Sequence, residues 1–256
     1  MTEIPKDHPR YESLITREKI VEGVNIGVTS KQGLVAQGRG EAFDYIIGEK
    51  TTESAAIAER AAVAHMLLAD NPIISVNGNT AALVPDLMVS LADVLGARLE
   101  VNLFHRSDAR VHKIAEHLKA HGAGVVLGGK GDKRLDLSHD RAIVDEEGIF
   151  TADVVLVPLE DGDRCKKLVE MGKTVIAIDL NPLSRTSLTA TITIVDNVTR
   201  ALSNMVQFTK DMKGGSKDSL QAVIDAYDND RVISDALYTM RENLKNKAEE
   251  RGITWI

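Results

Sequence analysis

The sequence predicts an α/β protein, a mostly parallel sheet with helices on both faces, flanked by a helical N-terminal region and a helical C-terminal tail. Three observations carry this. From about residue 72, apolar runs, polar turns and helical patterns alternate repeatedly. The apolar runs are short, continuous and rich in Val and Ile, as in strands buried on both faces of a parallel sheet. Several runs end abruptly in polar residues, as strands do where a doubly wound sheet presents its ligand edge.

Taken in order, residues 16–23 open on a capping Thr16 and close on Gly23, and residues 52–69 are Ala-rich with apolar residues at helical spacing. Between these helices, residues 32–41 are glycine-rich and are expected to form a loop carrying an exposed Arg39. Strands are expected at 73–76, 99–104, 124–127, 154–157, 175–178 and 192–195, and helices at 80–95, 107–120, 164–171 and 198–212. Gly148, with Asp145, Glu146 and Glu147, suggests a surface turn. Lys213-Gly214-Gly215-Ser216 has linker composition, and helical patterns follow at 219–227 and 231–251. The expected organisation is one domain over residues 1–256, with a helical region to residue 70, a core at 71–212 and a tail from 213.

A chain of 256 residues can bury a large core without staples. Its single cysteine, Cys165, excludes a disulfide framework and a Cys-based zinc cluster, and suits a reducing cytosol. No apolar stretch reaches membrane-spanning length and the N-terminus lacks a signal core, so a cytoplasmic protein is expected. A net charge of −7 and 4% aromatics argue against a general nucleic-acid groove.

Polar loops after the strands of a doubly wound sheet converge on one edge. After the first strand, Asn77-Gly78-Asn79-Thr80 starts a helix, where exposed N–H groups suit a phosphate or carboxylate and the side chains equally suit capping. After the second, His105 and Arg106 suit anionic oxygen, and His105 can move a proton near neutral pH. Gly128-Gly129-Lys130-Gly131 is a flexible basic loop with the means to hold a phosphate, although it is not a P-loop and no dinucleotide fingerprint follows any strand. The loop Pro158-Leu159-Glu160-Asp161 is acidic, suited to Mg²⁺, a substrate ammonium or a plain surface turn. His117 and His121 share a helical face without a third ligand, and no G-x-S-x-G elbow occurs. Finally, Asp179-Leu180-Asn181 and Arg185-Thr186 follow the fifth strand, and Asp196-Asn197 the sixth.

Several long motifs in one order make the chain similar to a known family. IPKDHPRYESLITREKIVEG, GLVAQGRGEAFDYIIGE, NPIISVNGNTAALVP, DLNPLSRT and TITIVDNVTRA together resemble the archaeal phosphopantothenate synthetase family, also called 4-phosphopantoate–β-alanine ligase. The resemblance implies a Rossmann-like fold, a homodimer, and ATP-dependent joining of 4-phosphopantoate to β-alanine in coenzyme A synthesis, with AMP and diphosphate released through an acyl-adenylate. It also implies a nucleotide site of Arg17, Arg39, Asp179, Leu180, Asn181, Arg185, Thr186, Asn197 and Val198. Loop position and chemistry add His105 as candidate general base, Lys130 as an anion-neutralising catalytic group, Asn77 and Asn79 as holders of phosphopantoate, and Mg²⁺ as the companion of ATP. Two other readings use the same sheet: a nucleotide-sensing regulatory protein, and a Rossmann-type oxidoreductase, against which the missing fingerprint counts.

Overall fold

The computed structural model describes residues 4–8, 10–158 and 161–253; Leu159 and Glu160 of the acidic loop lie outside them. Among the described residues, the main sheet has six strands: β1 (Pro72–Val76), β2 (Arg98–Val101), β3 (Val126–Leu127), β6 (Val154–Pro158), β7 (Thr174–Ile178) and β8 (Ile192–Ile194). They lie in the order β3-β2-β1-β6-β7-β8, every pair parallel. Among these strands alone the order is 3-2-1-4-5-6, the doubly wound Rossmann arrangement, and its switch point falls between β1 and β6. A short antiparallel pair, β4 (Lys133–Arg134) and β5 (Ile143–Val144), interrupts the crossover from β3 to β6. The sequence pattern had not indicated this pair, since two residues per strand leave no periodicity to read.

Both faces of the sheet are dry. Ile74 and Val76 of β1, Leu156 of β6 and Ile176 and Ile178 of β7 point into one core, which α3 (Glu53–Leu68), α5 (Pro85–Leu95), α6 (Asp108–Ala120) and α8 (Val198–Met212) cover. The alternate residues Ile73, Val155, Val157, Val175 and Ala177 point the other way, under α7 (Gly162–Glu170) and the segment carrying β5 and Ile149. Alternation at period two with both faces buried is why the strands read as unbroken apolar runs.

Four local expectations are corrected. Residues 32–41 are helical, inside α2 (Lys31–Ile47), which ends at a left-handed Gly48 with φ of 100°. Glycine costs about 1 kcal/mol per position in a helix, and tertiary packing overrides it here. Gly33 lies against Asn79 and the Thr29 hydroxyl with no room for a Cβ. Residues 80–95 form two helices, because Pro85 starts α5 where its missing N–H costs nothing, and α4 (Gly78–Leu83) stands apart. Strand β2 stops at Val101 rather than running to 104, as the buried Asn102 amide donates to the carbonyls of Arg141 and Ile143 and turns the chain away. Around Gly148 there is no surface turn. Gly148 and Asp145 are buried, and the buried Glu100 carboxyl accepts the N–H groups of Asp145 and Ile149 at 3.1 and 2.6 Å.

The tail packs on its own core. Helix α9 (Lys217–Asp225) lies against α3, and α10 (Asn229–Glu249) against α2, α3 and β8. At the sheet edge the Thr193 N–H donates to Asn229 Oδ1 at 2.8 Å and to the Tyr227 hydroxyl at 3.2 Å. N-terminal helix α1 (Tyr11–Asn25) packs on α2 and α4. No helix among the described residues is long and apolar enough to cross a membrane.

Glu59 of α3 is fully buried, and burial with the nearby Asp196 charge pushes its carboxyl up to about 8. In the unfolded chain the group ionises near 4.5, so between those values folding retains a proton that unfolding releases. Stability therefore falls as pH rises through this window; Glu100, pushed up to about 7 by burial, acts in the same direction. Glu59→Gln is expected to flatten the fall in thermal midpoint between pH 5 and 8, leaving the smaller slope that Glu100 supplies. Parallel wild-type and variant curves would show that Glu59 is ionised in the folded protein.

Candidate active site

The carboxyl ends of β1, β6, β7 and β8 open on one edge, and α2 lies across them. At the switch point Asn77 donates from Nδ2 to the Pro158 carbonyl at 2.7 Å, joining the ends of β1 and β6. Its Oδ1 accepts the Thr80 N–H at 3.0 Å while the Thr80 hydroxyl faces the Asn77 N–H, so the residue caps α4. Asn79 is buried beside it: its Oδ1 takes the Thr29 hydroxyl at 2.5 Å and its Nδ2 donates to the Gly33 carbonyl at 3.0 Å. Asn79 retains one further N–H and lone pair, and Asn77 one further N–H.

Between α2 and the strand ends lie adjoining hollows. The first, about 250 Å³, is walled by Thr29, Ser30, Gln32, Asn77, Asn79, His105, Arg110 and Arg141, with Ala36 at its α2 side. The second, about 270 Å³, lies over the end of β7 and is walled by Ala36, Arg39, Gly40, Phe43, Asp179, Leu180, Asn181 and Ser184. A small hollow of about 20 Å³ continues it toward Asn197 and Val198, again touching Ala36 and Gly40. A larger one of about 490 Å³ lies beyond, between α1, α2 and the start of α8, where Asp44, Asn197 and Arg200 face Arg10 and Tyr11.

Within the second hollow Asp179 is held firmly. Ser184 Oγ donates to its Oδ2 at 2.6 Å and the Asn181 N–H to its Oδ1 at 2.9 Å. Burial pushes the Asp179 carboxyl up, opposed by Ser184, the Asn181 N–H and the Arg39 charge. Asn197 caps α8, its Oδ1 accepting the Thr199 N–H, and its Nδ2 donates to Asp44 at 2.8 Å. Behind it Arg200 bridges Asp44 at 2.5 Å and the buried Asp196 at 2.6 Å; Asp196 also takes the Thr51 hydroxyl at 2.6 Å.

The sequence-derived residues thus separate into groups. Arg39, Asp179, Leu180, Asn181, Asn197 and Val198 line the adjoining hollows beneath α2, and Asn77, Asn79 and His105 line the first. Arg185 is exposed and ion-paired with Asp163, while Thr186 is buried with its carbonyl toward Cys165 Sγ. Arg17 is exposed on α1. Lys130 is exposed and paired with Glu147 at 2.5 Å, away from every hollow just described. The Gly128 and Gly131 N–H groups of its loop point inward to the Asp145 carboxylate at 2.8 and 2.7 Å. Arg106 turns toward the same loop, donating to the Gly128 carbonyl at 2.6 Å. Sequence reasoning missed Arg110, Arg141, Asp44 and Arg200. For Arg110 a signal existed, since it sits three residues after the Ser107 helix cap and beside the His105 already noted.

Fold and site together define a Rossmann-like α/β protein with a row of adjoining hollows along the carboxyl edge of its sheet. The phosphopantothenate/pantothenate synthetase family model matches residues 54–243. A Methanosarcina mazei protein named 4-phosphopantoate–beta-alanine ligase is 66% identical over 98% of this chain and 100% of its own. Proteins of the same name from Thermococcus kodakarensis and Methanospirillum hungatei are 54% and 51% identical, over 98% and 95% of this chain and 97% and 98% of theirs. The chain belongs to the phosphopantothenate/pantothenate synthetase family.

Arg200 neutralises two carboxylates that pack on Asn197. Arg200→Ala is expected to destabilise the fold by about 3 kcal/mol, the usual cost of stripping one partner from a buried ion pair, as measured by urea unfolding. Unchanged stability would show that Asp44 and Asp196 do not depend on the guanidinium.

Proposed function

We propose that the chain is a ligase that joins 4-phosphopantoate to β-alanine, cleaving ATP to AMP and diphosphate and forming 4′-phosphopantothenate for coenzyme A synthesis. One observation carries this reading: the first hollow and the Asp179 hollow share a wall at Ala36, so two ligands can meet there end to end. The relatives' shared name supplies the substrates.

The nucleoside belongs in the second hollow, where Asp179 accepts from hydroxyl or amino groups and Asn181 both donates and accepts, with Asn197 in the small hollow that continues it. Arg39 on its wall supplies positive charge for the phosphates, Leu180 lines the same hollow and Val198 the small one beside it; Arg17, Arg185 and Thr186 line none of these hollows, and their part in this reading rests on the family resemblance alone. Phosphopantoate belongs in the first hollow with Asn77 and Asn79. Its carboxylate attacks the α-phosphorus of ATP and expels diphosphate, because a carboxylate becomes a good acyl donor only when oxide is exchanged for a better leaving group. The amine of β-alanine then attacks the acyl-adenylate carbonyl and expels AMP. His105, exposed on the first hollow, is the candidate to take the amine proton. The protein's task is chiefly to align two anions and lower their repulsion.

Among the described residues no cluster of three or more His, Cys, Asp or Glu side chains is arranged to hold a metal. A Mg²⁺ ion that accompanied ATP could take a carboxylate such as Asp179 and would supply charge neutralisation for the phosphates. Lys130 keeps a part in this reading only if its loop swings from Glu147 to the phosphates. A homodimer is included in the proposal, and the exposed Leu183, Leu188 and Val35 beside the crevice offer apolar surface for it. So is a cytoplasmic location, where ATP and both acids are available.

Purified protein with ATP, Mg²⁺, 4-phosphopantoate and β-alanine is expected to release equimolar AMP, diphosphate and 4′-phosphopantothenate. ATP binding without AMP release would favour a nucleotide sensor. Filling the junction with Ala36→Phe is expected to cut kcat about a hundredfold, the scale of a small misalignment of reactants, while circular dichroism stays that of the wild type. Wild-type turnover in that variant would show that the ligands meet elsewhere.

A further inference from the structure

The first hollow differs in charge from its neighbours. Its wall holds Arg110, Arg141 and His105 and no Asp or Glu, whereas Asp179 lines the second hollow, Asp196 the small one, and Glu12, Glu41, Asp44 and Glu49 the largest. In a chain of net charge −7, a cavity with cationic groups alone is a place for an anion.

Arg110 is the best-placed of these groups. Ser107 caps α6 and accepts the Arg110 N–H at 3.3 Å, fixing the backbone. Arg110 Nη1 donates to the His105 carbonyl at 2.9 Å, and Nη2 lies over Gly78, 2.9 Å from where a Cβ would sit. Its Nε is buried and meets no acceptor among the described residues. No described Asp or Glu forms an ion pair with it, in contrast to Arg106, Arg185 and Arg200. Burial lowers its guanidinium pKa, and no nearby charge opposes that. A half-buried guanidinium without a counter-ion carries a desolvation cost that a doubly charged ligand would offset. The other arginine on the wall, Arg141, is buried, and its carbonyl accepts from Asn102.

We propose that Arg110 grips the phosphate of the acyl substrate at the Gly78 end of the first hollow, and so is the residue that selects a phosphorylated acid over its dephosphorylated form. This rests on the ligase reading above. With the phosphate at Gly78, the remainder of the acid extends along α2 toward Ala36 and the nucleotide. Gly78 contributes by having no side chain, which lets the guanidinium lie over the α4 backbone.

Steady-state kinetics of wild type, Arg110→Gln and Arg110→Lys, each with 4-phosphopantoate and with pantoate, test the proposal. Arg110→Gln is expected to lose about a hundredfold in kcat/KM on 4-phosphopantoate, the effect of truncating one member of a buried charge pair. Its KM for ATP is expected to stay within about twofold and its kcat/KM on pantoate to fall far less than that on 4-phosphopantoate, so the preference for the phosphorylated acid collapses. Arg110→Lys, which keeps the charge without the fork, is expected to fall between. Equal losses on both acids would overturn the proposal and make Arg110 a packing residue. If wild type makes no product from either acid, the ligase reading fails separately; calorimetric titration with inorganic phosphate then decides. Binding by wild type and not by Arg110→Gln upholds the anion site, and equal or absent binding in both removes it.

Discussion

The arrangement of the whole crevice depends on how closely α2 approaches α4. Asn79 makes that contact with both ends of its amide, taking the Thr29 hydroxyl and giving to the Gly33 carbonyl. It can do so because position 33 has no Cβ to keep the chains apart. Every hollow at the strand ends then takes a wall from α2: Gln32 and Ala36 in the first, Arg39 and Phe43 in the second, Gln37 and Gly40 in the small one, and Asp44 in the largest. Loosening one buried amide would therefore disturb all of these hollows together.

The same helix shows why part of the molecule was legible from sequence and part was not. Strands buried on both faces announce themselves as Val- and Ile-rich runs, and all six were placed to within a few residues. Turn polarity after β7 and β8 marks an edge where the structure places hollows lined by Asp179, Asn181 and Asn197. Helix α2 was concealed because Gly33, Gly38 and Gly40 argue for a loop on local propensity, and only a contact with residue 79, distant in sequence, reverses that. Asp44 and Arg200 were concealed for a related reason. Their partnership joins residues 156 apart in the chain, and neither sits in a motif whose chemistry is local. Lys130 is the opposite case: a glycine-rich basic loop looks like a phosphate grip, but its N–H groups are already directed at Asp145.

Electrostatics divide the crevice into two kinds of compartment. Toward β7 and β8, buried carboxylates are held by hydroxyls, backbone N–H groups and Arg200, an environment suited to a ligand with many hydroxyl and amino donors. Toward β1 and β2 the wall is cationic. A reaction that brings an acid to a polyphosphate needs such asymmetry, since two anions approach only where the protein has already lowered their repulsion.

The closure of β8 by the tail has a consequence for how the chain is made. Thr193 presents an N–H at the sheet edge that Tyr227 and Asn229 occupy, and α10 completes the covering of β8. During synthesis the six strands leave the ribosome before this cover exists, so the nascent sheet has one open edge for the time needed to add roughly fifty residues, several seconds at usual translation rates. An open strand edge is a template for pairing with another chain. The C-terminal helices thus protect the newborn protein from its neighbours, as well as stabilising the finished one.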